Sequence, residues 1–133
     1  MSPRTPKSRS IQRAPNFSGF KPFGVMGKQG GEIQLLLEEY EAIKLCDYEL
    51  LTQAEAAILM NVSRPTFTRV YESARRKIAK ALVETSTILI TGGKAIIDSK
   101  WYRCISCQVS FSISGPGNIA CPLCNSIQIT EFN

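Results

Sequence analysis

Between Thr52 and Glu84 apolar residues recur at helical spacing, and the pattern breaks once. Ala56, Ala57 and Met60 mark the buried side of a short helix that should begin at Gln53, because Thr52 with Glu55 three residues on is a capping-box pair. Asn61 is among the few non-glycine residues that tolerate the left-handed conformation, so it can end that helix sharply. Val62 plugs the turn. Ser63 is a good N-cap for a second helix, and Pro65 falls in its first turn, where a missing N–H is harmless. This helix is predicted from Arg64 to about Glu84. Phe67, Val70, Tyr71, Ala74, Ile78, Ala81 and Leu82 form its buried stripe. Ala57 lies where the two helices cross and a larger side chain would hold them apart.

On a wheel of about 100° per residue, Pro65, Thr68, Arg69, Glu72, Ser73, Arg76 and Lys80 fall opposite the stripe. Arg64 is nearer the boundary but at the helix start. Helix, tight turn and helix together read as a helix-turn-helix, whose second helix is shaped for the DNA major groove. The plainer reading is an amphipathic helix with a solvated basic face.

Around this unit the pattern is thinner. Ile33–Leu35 is predicted as a short strand, and Glu38 to about Leu45 as a helix, reaching as far as Asp47 or Tyr48. Ile88–Thr91 is a strand ended by Gly92-Gly93, expected to pair with Ile33–Leu35 in a two-stranded sheet. Residues 1–31, rich in Pro, Ser, Gly and basic side chains, read as an arm, mobile at least to Pro15. It is either a solvated tail or a basic arm for a minor groove. FKPFGV at 20–25 can bring order. The divisions expected are an arm over 1–31, a helix-turn-helix domain over 32–93 and a small module over 94–133.

Charge strengthens the DNA reading. The net +5 hides a segregation: residues 1–31 hold six basic and no acidic side chains, and residues 64–103 nine basic against three acidic. Residues 32–63 hold one basic and seven acidic. Cations on the arm and the second helix suit counterion release from a phosphate backbone. The acidic block must face elsewhere or meet a basic partner. The chain has no histidine, which removes the commonest general base and any Cys₂His₂ metal site, and no phosphate-binding glycine loop. An enzyme is not expected. No run approaches the ~18 apolar residues of a membrane span, and the N-terminus lacks a signal peptide's apolar core. The expected compartment is the cytoplasm.

Cys104-Ile-Ser-Cys107 and Cys121-Pro-Leu-Cys124 are two C-x-x-C knuckles separated by thirteen residues. Four thiolates converging on one ion suit a closed structural zinc site, and a module this small needs such a staple. A rubredoxin-like iron site uses the same ligand set. Two disulfides would conflict with the expected compartment, and a redox dithiol normally sits on a larger scaffold. The spacer suits a hairpin turning at Gly115–Asn118. Trp101, Tyr102, Phe111 and Phe132 would supply a small core, separate from that of the helices. Cys46 has no cysteine nearby in sequence and reads as a core residue. The fold class expected is mainly α: a helix-turn-helix bundle with a small two-stranded sheet, plus a small β zinc ribbon.

FKPFGV, LEEYEAIKL, QAEAAILMNVSRPTFTRVYESARRKIAKALVE and ILITGG resemble a prokaryotic family catalogued as domain of unknown function 134, similar to region 4 of sigma-70-type factors. The likeness covers residues 3 to about 93. It implies a DNA-binding helix-turn-helix in which Arg64, Pro65 and Arg69 match base-facing positions. Pro65 stands where a polar residue is usual and cannot donate a hydrogen bond.

These readings converge on a DNA-binding protein, a transcription regulator acting on double-stranded DNA, with RNA polymerase or another regulator as a possible partner and no membrane association. Arg64, Thr68 and Arg69 would read base edges, while Ser63, Thr66, Ser73, Arg76 and Lys80 would hold phosphates. The alternative is an adaptor that meets the transcription machinery through the acidic 32–55 segment without reading DNA. The DNA site and oligomeric state are left open.

Overall fold

A computed structural model describes residues 9–11, 15–92, 95–97, 101–112 and 119–132. The elements in chain order are β1 (Arg9–Ile11), β2 (Gly19–Phe20), β3 (Glu32–Leu36), α1 (Leu37–Ile43), a π-helical turn (Lys44–Tyr48), α2 (Gln53–Met60), α3 (Arg64–Val83), β4 (Thr87–Thr91), β5 (Ala95–Ile97), β6 (Trp101–Cys104), β7 (Ser110–Phe111) and β8 (Ile129–Phe132). Three helices thus sit among three small sheets. Helix outweighs strand among the described residues, but strands take a larger share than the periodicity suggested, so the expected mainly α class is met only in part. The short strands lack the long repeats that make helices legible.

The helical hairpin forms as its local chemistry dictates. Thr52 accepts a hydrogen bond from Glu55 N at 3.1 Å, and Glu55 Oε1 accepts from Thr52 N at 3.0 Å, closing the capping box. Asn61 takes φ 58° and its N–H bonds back to Ala57 and Ile58 carbonyls. Ser63 Oγ accepts from Thr66 N at 3.3 Å, with Pro65 in the first turn of α3. Phe67 is fully buried beside Ala57, its ring stacked on Tyr71 at 5.8 Å. Tyr71, Ala74 and Ala81 complete the buried stripe, and Val70 and Ile78 are half-buried. Leu82 departs from it: the side chain is 74% exposed.

The first helix begins without a polar cap. Leu36 occupies the N-cap, and Glu39 Oε1 accepts its N–H at 2.8 Å, supplying half of a capping box from inside the helix. The α-helical part ends at Ile43, and the predicted extension to Tyr48 is wound as a π turn. Tyr71 Oη donates to Asp47 Oδ1 at 2.8 Å, tying that turn to α3.

The expected pairing of the two central strands is present, with β3 and β4 parallel and Ile33 opposite Ile88. The sheet has three strands, not two: β2 adds antiparallel to the other edge of β4. Gly19 permits this, because a Cβ there would run into the Ile88 carbonyl. A second correction concerns the arm. Arg9–Ile11 forms a parallel ladder with Ala95–Ile97, and Ile11 is fully buried, so the expectation of a mobile segment to Pro15 fails at this strand. One apolar residue in a polar run carries too little periodicity to announce a strand.

The third sheet has β6 at its centre, antiparallel to β7 and β8. The expected turn at Gly115–Asn118 lies outside the described residues. The core does not stop at this module: Tyr102, Cys104, Val109, Phe111 and Cys121 belong to one buried cluster with Leu45, Ala56, Met60, Phe67 and Tyr71. The separate cores expected from the sequence are one continuous interior. No helix among the described residues is long and apolar enough to cross a membrane.

Candidate nucleic-acid interface and metal centre

Arg64, Pro65, Arg69, Arg76 and Lys80 are exposed along α3, as their phase relative to Phe67 requires. Glu72, also exposed, interrupts this edge with one negative charge. Ser63 is exposed, but its hydroxyl is engaged in capping and lies 2.9 Å from Thr66 Oγ1. Thr66 is half-buried. Two expected contacts face inward. Thr68 is half-buried, and its hydroxyl donates to Gln53 Oε1 at 2.7 Å, fastening α3 to the start of α2. Ser73 is half-buried too, and its hydroxyl donates to Glu39 Oε2 at 2.5 Å. Both were placed on the outer face by wheel angle alone. A wheel gives direction and not which neighbouring helix stands there, and here α2 meets α3 at Thr68 and α1 meets it at Ser73.

Glu39 gathers the residues that periodicity did not single out. Its carboxylate accepts from Leu36 N, Ser73 Oγ and, at 2.7 Å, Lys77 Nζ, while only 4% of its side chain is exposed. Three donors around one buried carboxylate satisfy it, and Lys77 balances its charge. Ser73 and Lys77 are four apart and therefore share a side of α3, which is the only trace of this arrangement in the sequence. Glu38 and Glu41 are buried as well. Three of the seven acidic side chains are therefore interior, and the surface left for the adaptor reading is Glu32, Asp47 and Glu49 with the half-buried, capping Glu55. Asp47 is already committed to Tyr71. Burial raises the phenol pKa of Tyr71, and the hydrogen bond to Asp47 adds to it. Arg75 lies over the Tyr71 ring, 5.4 Å from its centroid.

The four expected cysteines converge. Their sulfurs all lie within 4.8 Å of one another, with Cys104 to Cys124 at 3.5 Å and Cys107 to Cys121 at 3.6 Å. In a tetrahedral site with bonds of ~2.3 Å to zinc, sulfur–sulfur edges come to about 3.8 Å. The donor set therefore fits a metal ion, and a closed one, since all four positions are sulfur.

The two knuckles are built alike. Gln108 N donates to Cys104 O and Asn125 N to Cys121 O, each at 2.9 Å, and both turning residues have positive φ, 69° and 63°. Backbone N–H groups also point at sulfur, Cys107 N to Cys104 Sγ and Leu123 N to Cys121 Sγ, each at 3.4 Å. Such donors stabilise thiolates. The Cys107 N–H holds the Cys104 thiol down at about 6, whereas desolvation, with the hydrogen bond to Cys121, pushes Cys107 up to about 12. Cys46 stands apart, half-buried, its pKa raised by burial and by Asp47, in keeping with a packing role.

The chain belongs to the family described as protein of unknown function DUF134, whose model matches residues 1–98. A UPF0251 protein of Chloroherpeton thalassium is 39% identical over 131 residues, covering 98% of this chain and 87% of the relative. A UPF0251 protein of the archaeon Methanothermobacter thermautotrophicus is 39% identical over 127 residues, covering 96% and 66%. A UPF0251 protein of Thermoanaerobacter sp. is 50% identical over 91 residues, covering 68% and 80%. No solved structure matches the chain.

Proposed function

We propose that this protein binds double-stranded DNA through α3 as a transcription regulator, and that Cys104, Cys107, Cys121 and Cys124 hold a structural zinc ion. The observation that carries the DNA reading is the exposed basic edge of α3, which starts at the first helical turn after a tight, left-handed Asn61 turn. Arg64 and Arg69 are the residues assigned to base edges, and Arg76 and Lys80 those assigned to phosphates. Ser63 and Thr66 lie at the helix N-terminus, where backbone N–H groups favour an anion. Thr68 and Ser73, committed to Gln53 and Glu39, are assigned to holding α3 in place.

Titration of the metal-loaded protein against mixed-sequence duplex at several salt concentrations tests this. Affinity should fall steeply with salt, since each neutralised phosphate contributes about −0.9 to the logarithmic slope. On a selected site, Arg69→Ala should cost about 1–3 kcal/mol of binding and relax preference at one base pair. Its melting temperature should not move, because Arg69 is exposed. Absence of salt-dependent binding would overturn the proposal.

A further inference from the structure

An apolar hollow of about 500 Å³ opens between α1, the end of α3 and the three-stranded sheet, with Phe17, Phe20, Leu35, Tyr40, Ile78 and Leu82 among its walls. Pro22 also lines it. The next residue, Phe23, is 101% exposed, and Met26 three positions later is 97% exposed. A singly exposed apolar residue needs no explanation, but a large unsatisfied knob beginning one residue from an unfilled apolar socket does.

We propose that this face is the interface of a homodimer, in which Phe23 and Met26 of each copy enter the hollow of the other about a twofold axis. Phe20 and Pro22 line the socket and Phe23 follows them directly, so socket and knob lie on neighbouring parts of one face, as a closed twofold interface requires. The exposed parts of Phe17, Phe20, Phe23, Met26 and Leu82 amount to roughly 750 Å² per chain when a fully exposed large apolar residue is taken as about 200 Å². A standard interface takes about 800 Å² from each partner, so these residues alone nearly supply it. The proposal stands apart from the DNA reading, since none of its residues belongs to the basic edge of α3.

The test is the molar mass of the full metal-loaded chain in solution, by light scattering across a micromolar concentration series. Wild type should be a dimer, and the double variant Phe23→Ser with Met26→Ser should weaken association by at least about 100-fold, as loss of two central anchors implies. Leu82→Lys, on the socket side, should do the same. All three substitutions fall on exposed side chains, so circular dichroism and metal content should stay at wild-type values. A monomeric wild type overturns the proposal, as does a dimer that survives the loop variant. A dimer lost in the loop variant but intact with Leu82→Lys overturns the assignment of the socket. Open-ended assembly overturns the twofold arrangement. Stoichiometric uptake of an apolar dye by a monomeric wild type would give the hollow to a small ligand instead.

Discussion

Phe67 and Phe111 are both sealed from solvent, at 0% and 1% exposure, yet what seals them differs. Phe67 belongs to a region with a twenty-residue helix, a second helix with both ends capped, and an ion pair from half-buried Lys77 of α3 to buried Glu39 of α1. Phe111 sits in a two-residue strand beside Tyr102, and two of the buried residues of its module, Cys104 and Cys121, belong to the four-cysteine cluster. The helical region spreads its stability over many apolar contacts and hydrogen bonds. On the proposed metal assignment, the cysteine module would concentrate its own at four sulfurs. Because their interiors are continuous, the second region is also part of the packing of the first.

The largest effect should come from removing the metal. Zinc contributes about 10–16 kcal/mol of apparent binding free energy in small structural sites, and a module with strands of two to four residues has nothing comparable to replace it. Chelation should abolish amide protection over 101–112 and 119–132. It should also lower the melting temperature of the helices, since their cluster loses Tyr102, Val109 and Phe111 as neighbours. Full independence of the helices from chelation would break the comparison. Metal analysis should find one zinc per chain; iron, or four free thiols in a fully protected module, would overturn the assignment. At pH 7.5 the metal-free Cys104 thiol, lowered to about 6, is ionised, and Cys107, raised to about 12, is not. Loading must therefore displace a proton from Cys107, and affinity should rise with pH. Calorimetry in two buffers of different ionisation enthalpy measures the release.

A smaller effect, confined to the other region, is expected from Phe67→Ala. Emptying the crossing of α2 and α3 should cost about 3–5 kcal/mol, through lost transfer free energy and the cavity left behind. Below its lowered melting temperature the variant should keep one metal per chain, because no sulfur changes its partners. Loss of metal in the folded variant would show that the thiol cluster depends on the helical core more than its own backbone turns suggest. Denaturant unfolding with metal analysis separates the two outcomes.

How legible each region was follows from the same difference. Capping pairs, a left-handed Asn61 and a long apolar repeat are local signals, and α2 and α3 begin where Thr52 and Ser63 say they should. The paired C-x-x-C spacing is equally local, and the four sulfurs meet. What failed to show were contacts between distant segments: Glu39 with Ser73 and Lys77, Thr68 with Gln53, β1 with β5, and the module against the helices. Three of the acidic residues, Glu38, Glu39 and Glu41, are interior, because charge counted along a chain does not reveal which carboxylates the fold will cover. Leu82 shows the converse error, an apolar residue in phase with the stripe that faces an open hollow and stays exposed.

The smallest effect, with no cost to stability, is expected at the N-terminus. Ile11 is buried, and β1 packs against α1 and α2 while pairing with β5 on the stretch leading from the helical region to the cysteine module, a place from which it can act as a seam between the two. Deletion of residues 1–8 leaves the strand in place and removes two cations, Arg4 and Lys7. If these contact phosphates, the logarithmic salt slope of DNA binding should become shallower by up to about two units, at about 0.9 for each phosphate. Sequence preference and melting temperature should stay as they were. A changed preference with an unchanged slope would instead point to a minor groove read by shape. Deletion through residue 14 removes β1 as well, and should lower the stability of both regions together. If that longer deletion is silent, β1 is no seam, and the continuity of the two interiors rests on the β6–β8 sheet alone.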